Sequence, residues 1–546
     1  MTHIDNIENL THEAVLDSAH LGDIEGALGT IKRDDTAQRR TWGARLAMLA
    51  AVIGPGLIVM VGDNDAGAYA TYTQAGQTYG SSLLWTLILL IPVLYVCQEM
   101  VARLGAVTGV GHARLIFERF GKFWGAFSVI DLFLLNALTI VTEFIGISLA
   151  MDYFGMSKAL GVVVAAGLTM AAVSTGSFRR FERFAVLLCL GSLVVVPIFL
   201  AAHPAVGDMA RDLVIPRLPQ GKLSDIMLLI IGIVGTTVAP WQLFFQQSYV
   251  VDKRLRPRHI AYERGDMAIG VVFTQIGAIS MLAFAAAAFA GRPEFGNFTD
   301  AGGVAAGLAK YVGRWAGDLF AIGLIDAALL GAAAVGLSTS YALGDVLSLH
   351  HSLHRKPTDA LGFYAIYSVL IALSAALVLI PGAPLGLITE AVQVLAGVLL
   401  PSATVFLLLL CNDRAVLGPW VNGRWQNLVT GVIVALLVVL SLVLTAAVVF
   451  PDLTGAQILG VMAGGAGLGV LAYGATRFLG KDEEENPALA ALAQADRDTW
   501  RMPPLPELAP LRMSLAKKVW LLALRAYLIA ACLAVVVQVV LMALHG

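Results

Sequence analysis

Gly62-Asp63-Asn64-Asp65-Ala66-Gly67-Ala68 interrupts an apolar run, from about residue 45 to residue 73, that otherwise reads as a single membrane-crossing helix. Carboxylates near a bilayer midplane cost roughly 2.5 to 3.5 kcal/mol each on insertion scales unless they are paired, hydrated or bound to a cation. The flanking glycines lower the cost of unwinding, and an unwound turn turns backbone carbonyls toward whatever the carboxylates hold. The stretch therefore predicts a broken helix with a cation site at its break.

The rest of the chain supports a membrane setting. With 58% hydrophobic and 14% charged residues, the 546-residue chain could not cover a water-facing globule, and apolar windows of about 20 residues recur about thirteen times. The stretch before the first window carries Asp5, Glu8, Glu13, Asp17 and Asp23, which is wrong for a cleavable signal peptide. Lys and Arg alternate from loop to loop. Lys32, Arg33, Arg39 and Arg40 precede the first span, Arg103, Arg114, Arg119 and Lys122 follow the second, and Lys253, Arg254, Arg256 and Arg258 follow the sixth. Loops 76–80, 154–157, 382–383 and 451–455 carry none, so the amino terminus is expected in the cytoplasm. A net charge of −2 without a basic tract argues against a nucleic-acid partner.

A second interruption falls in the sixth span, at Gly232-Ile233-Val234-Gly235-Thr236-Thr237-Val238-Ala239-Pro240-Trp241-Gln242. Pro240 removes a backbone donor and clashes with the preceding turn, so the helix must kink or break. A lone Pro kink or glycine pair is an ordinary packing device. Two breaks in corresponding spans of two five-helix halves, with acids in one, point instead to a transport site. Cys97, Cys189, Cys411 and Cys532 read as apolar filler, and Tyr72, Tyr79 and Trp85 as interfacial anchors. His350, His351 and His354 read as a solvated helix end. Asp326 and Glu390 are open between functional and structural roles. No nucleophile elbow or phosphate-binding loop occurs, so an ATP-driven pump is unsupported and no enzymatic activity is expected.

Gly54-Pro55-Gly56, Asp65-Ala66-Gly67-Ala68-Tyr69-Ala70-Thr71 and Gln74-Ala75-Gly76 together resemble the first helix of the natural resistance-associated macrophage protein (NRAMP) metal transporters, whose motif is Asp-Pro-Gly-Asn. Ala239-Pro240-Trp241 stands where that family has Met-Pro-His. Glu143 in Thr142-Glu143-Phe144 matches a third-helix glutamate, and Gln393-Val394 with Leu400-Pro401 matches the tenth helix. The resemblance implies an all-α polytopic fold of two inverted five-helix repeats, LeuT-like, plus about three extra transmembrane helices. The expected organisation is a cytoplasmic tail at 1–42, a first repeat at 43–203, a second at 224–411 and additional helices at 425–478. A cytoplasmic linker at 480–514 and a last helix at 516–544 complete it.

Ala66, Ala68 and Ala239 replace the family's Pro, Asn and metal-binding Met. A thioether favours transition metals, whereas magnesium takes oxygen and keeps several waters; the pattern looks like the NRAMP-related magnesium transporters. The resemblance implies Asp65 as the principal ligand, with Ala239 giving its carbonyl and Gln393 its amide oxygen. Asp63, Asn64, Ala68, Gly235 and Thr236 complete the candidate metal site, and Glu143 and Asp131 are candidates for a proton or an outer charge. Phe133 and Ile140 occupy two of the family's acidic positions, and 360–375 lacks Arg and Lys, so proton coupling is expected to be lost. The expected function is import of Mg2+ and Mn2+ across the plasma (inner) membrane by alternating access, with no resident cofactor and one chain sufficient. The alternatives are a proton-coupled Mn2+/Fe2+ transporter and a non-transporting sensor or scaffold.

Overall fold

The computed structural model describes residues 14–449 and 496–508 continuously, and scattered residues within 456–467 and 511–533. A two-residue hairpin, β1 (Ile24–Glu25) with β2 (Thr30–Ile31), precedes the helices. Helix α1 (Trp42–Val52) starts where the Thr41 hydroxyl caps the Ala44 amide. Gly54, at φ 152°, then takes a backbone conformation that a side chain would disfavour. The chain bends by 56° into α2 (Pro55–Val61), with Pro55 at the first helical position, where its missing N–H is not needed. After the first break come α3 (Ala66–Tyr79), α4 (Leu84–Thr108), α5 (His112–Phe120), α6 (Lys122–Tyr153), α7 (Lys158–Val173), α8 (Phe178–Gly191), α9 (Val195–Ala202) and α10 (Val206–Val214). The second half contains α11 (Leu223–Thr237), α12 (Pro240–Asp252), α13 (Ile260–Phe289), α14 (Ala301–Tyr311), α15 (Arg314–Leu347), α16 (Leu361–Val378), α17 (Leu385–Cys411) and α18 (Arg424–Val449).

Among the described residues, nine stretches are long and apolar enough to cross a bilayer, or ten with the bent α1–α2 pair. The short α7 is the fourth expected span, ended by the turn at Ser174 and Gly176. The second of the helices expected within 425–478 and the last helix at 516–544 lie largely outside the described residues, as does most of the linker at 480–514.

Small residues let the helices approach closely, since lipid tails give apolar side chains no reason to prefer one another. Gly56 lies against Met267 and Gly270 against Met60, seating α2 on α13. Gly76 faces the Leu282 carbonyl, seating α3 on the same helix. Helix α15 packs along α6, α11 along α17, and α12 against both α4 and α15. The two breaks thus fall inside the bundle, enclosed by α6, α13, α15 and α17.

Candidate metal centre

The first break is tighter than the sequence suggests. The Asp63 and Asn64 amides still reach back to the Met60 and Val61 carbonyls at 3.2 and 3.0 Å. Asp65 then turns extended, at φ −71° and ψ −176°, and its Oδ1 accepts the Ala68 amide at 2.8 Å. A carboxylate in that capping position restarts the helix at once, so Ala66, Gly67 and Ala68 are helical and the non-helical segment is Gly62–Asp65. Gly67 makes room instead of unwinding: a Cβ there would strike the Gln393 amide and lie 3.2 Å from Asp65 Oδ1.

Asp63 is 1% exposed and, among the described residues, neither of its carboxylate oxygens has a hydrogen-bond donor. Asn64 donates to the Thr274 carbonyl on α13 at 3.0 Å, which leaves its own Oδ1 unpartnered. Glu143 on α6 is fully buried, and its Oε2 accepts the Ala66 amide at 3.1 Å, at the positive start of α3. Its other oxygen has no donor, while its carboxyl stands within reach of Asp65. Gly331 on α15 gives that carboxyl its space.

The second break is confined to Val238 and Ala239, between α11 and α12, with Pro240 as the first residue of α12. Ala239 is extended and its carbonyl accepts only the Gln242 amide, at 3.2 Å, so one lone pair is left. Gly235 is helical, and a Cβ there would meet the Gln393 carbonyl and Gly397. It lets α17 approach α11 closely enough to carry Gln393 over the first break. Gln393 Nε2 and Thr236 Oγ1 are buried without a partner, whereas Thr237 bonds the Ile233 carbonyl at 2.6 Å.

Two features of the site are not visible in the sequence. Tyr72 is fully buried and its hydroxyl meets Thr237 Oγ1 at 2.7 Å, joining the outer halves of both broken helices; the interfacial-anchor expectation is corrected for this residue. Gln98 on α4 donates to Gln242 at 2.8 Å directly below the second break. Trp241, in the place of a histidine, is 1% exposed and covers Gly62. Asp131 is not gathered in. It lies twelve residues from Glu143 on α6, about 18 Å along the axis, beside a small cavity lined by Ser128, Pro240, Phe244 and Ser402.

Asp63, Asp65 and Glu143 are thus buried near one another, and none of them is paired with Lys, Arg or His among the described residues. Carboxyls buried in that state either hold a proton or call for a counter-charge. No group of three His, Cys, Asp or Glu side chains among the described residues forms a metal cage by itself. The oxygens that meet at the two breaks, carboxylate, carbonyl and amide, are all hard donors.

Residues 56–447 match the model of the family described as natural resistance-associated macrophage protein-like. A divalent metal cation transporter from Ralstonia nicotianae is 30% identical over 412 residues, covering 71% of this chain and 89% of that protein. One from Klebsiella pneumoniae is 25% identical over 403 residues, covering 72% and 92%. Among solved structures, the Eremococcus coleocola manganese transporter superposes with a TM-score of 0.62 at 19% identity, covering 93% of this chain and 99% of that one. MhsT, solved with L-phenylalanine, gives 0.50 at 14% identity, covering 74% and 99%. The fold is the LeuT-like one expected.

Proposed function

This chain belongs to the natural resistance-associated macrophage protein family, and on that premise we propose that it is a secondary transporter that imports Mg2+ and Mn2+ through the inner membrane, amino terminus inside. The observation that carries the reading is the meeting of two broken helices over Asp65, with Glu143 beside it and Asp63 buried without a partner. Such paired breaks near the midplane are where secondary transporters of this architecture hold their cargo.

Asp65 is the direct ligand, and the Ala239 carbonyl and the Gln393 amide oxygen close on the ion from the other side. Asp63, Asn64 and Thr236 offer oxygens to the ion or its waters. Ala68 positions Asp65 through its amide, and Gly235 positions Gln393. No thioether is present at Ala239, so the site favours an ion that keeps part of its hydration, which suits Mg2+. Alternating access rocks the bundle that carries α2, α3, α11 and α12 around the ion. A membrane potential of 100 mV favours entry of a divalent ion by about 4.6 kcal/mol.

The family's usual acids are replaced by Phe133 and Ile140, and helix α16 carries no Lys or Arg, which supports transport without protons. One observation favours the proton-coupled Mn2+/Fe2+ alternative: the closeness of Asp65 and Glu143 would let a proton take the place of the ion. Flux into proteoliposomes with a magnesium dye and a pH dye inside separates the readings. Saturable Mg2+ entry without acidification supports the proposal. Mn2+ entry with acidification and no Mg2+ entry supports the alternative, and no flux of either ion supports a sensor or scaffold.

A further inference from the structure

The amino-terminal segment is packed into the molecule at the end of the bundle assigned to the cytoplasm. Ala14, Val15, Leu16, Ile24, Ala27 and Ile31 are all buried. The hairpin turn presses on α1, where a Cβ at Gly29 would lie 2.9 Å from that of Ala51. On its other side the turn is held by α8: the Ala27 amide donates to Glu182 Oε2 at 2.5 Å, and Arg183 donates to the Ala27 carbonyl at 3.0 Å. Just beyond the end of α12, Arg254 adopts a left-handed backbone, φ 65°, and donates to the Ala19 carbonyl at 2.7 Å and to the Asp23 carbonyl at 2.8 Å. Asp17 meets His20 at 3.1 Å, His350 at 3.3 Å and Arg355 at 3.1 Å, joining the segment to the loop after α15. The Ala14 amide donates to Met502, whose own amide donates to Val107 at the end of α4.

Beneath the hairpin, Glu182 Oε1 accepts Lys253 Nζ at 2.6 Å, both groups fully buried. The same ammonium donates to the Val52 and Ile53 carbonyls, immediately before α2. One carboxylate thus ties the segment, α8, the end of α12 and the start of α2 together. Helices α2 and α12 are the inner halves of the two broken helices, and an ion can leave toward the cytoplasm only if their ends part from α8 and α15.

We infer that residues 14–31 are a latch on the inner gate: an autoinhibitory strap that holds the inward-closed arrangement and must unseat for the gate to open. This rests on the alternating-access reading of the proposed function, so its first test does not depend on flux. Hydrogen–deuterium exchange of the full chain in detergent or nanodisc is compared with an Arg183→Ala/Arg254→Ala variant, which removes side chains bonded to the strap, and with a deletion of residues 1–31. The latch predicts exchange faster by about tenfold or more at 52–57 and 249–254, with 66–79 and 223–237 unchanged. Unchanged exchange at 52–57 in a folded variant overturns it. In proteoliposomes the same variants should carry Mg2+ several-fold faster, and a slower rate from a protein of unaltered fold overturns the autoinhibitory part. Should wild type and variants both lack flux, the transport reading fails while the exchange data still decide the latch.

Discussion

The two ends of the inner half-helices treat buried charge in opposite ways. At the cytoplasmic base, Glu182 is matched by Lys253, Asp266 accepts the Gly54, Gly56 and Leu57 amides at 2.7 to 3.1 Å, and Asp252 accepts Tyr341, Ser352 and the Leu353 amide. At the break, Asp63 has no donor at either oxygen and Glu143 has none at one. Both regions are sealed from water, so exposure does not explain the difference. Glu182, Asp252 and Asp266 fasten helices to each other at the base, where Glu263 keeps one unpartnered oxygen, and on the proposed reading the break keeps its oxygens for a passing cation.

Substitutions that exchange these roles put the comparison at risk. Asp65→Ala should abolish Mg2+ and Mn2+ flux, a loss of at least about a hundredfold; retained flux would remove the break from the transport path. Lys253→Met leaves Glu182 buried and unmatched and should destabilise the protein by about 3 to 5 kcal/mol, read as a lowered thermal midpoint in detergent. Asp63→Asn should do the reverse in metal-free protein, raising the midpoint through a stabilisation of about 1 to 3 kcal/mol, because an amide cannot ionise where the carboxyl finds no partner among the described residues. Its Mg2+ affinity should fall in the same samples, and a loss of stability would mean Asp63 is matched after all. Ala239→Met should tighten Cd2+ binding about tenfold and weaken Mg2+ transport by adding a soft donor and filling space, measured by calorimetry and flux. Tyr72→Phe, which cuts only the bond to Thr237, should cost about 1 kcal/mol and alter the transport rate more than ion affinity.

The break itself was legible because carboxylates inside an apolar run are expensive and glycine and proline mark where a helix yields. Asp65, Glu143, Gln393 and Ala239 are expected on a resemblance that fixes their order along the chain, and the structure brings them to the two breaks. The extent of unwinding was not legible: the capping power of Asp65 works through the Ala68 amide, a local geometry that the residue types at 66–68 conceal. Nor was the Tyr72–Thr237 bond, which spans 165 positions and looks from either end like a residue satisfied by lipid interface or its own backbone. The amino-terminal strap reads as a solvated tail because its bonding partners, Glu182, Arg183, Arg254 and Arg355, sit at helix ends and loops where charge is expected to meet water.

The double employment of Asp65 has a thermodynamic corollary. On the proposed reading, the carboxylate that receives the cargo is also the one that caps the outer half-helix, so occupancy and secondary structure share one variable. An ion that draws the carboxylate away from the Ala68 amide loosens the first turn of α3, and by reciprocity anything that frays that turn alters the affinity for the ion. A transporter that binds its cargo through Asp65 would register that cargo as a change in helix length, without a separate sensor, within a single turn of backbone.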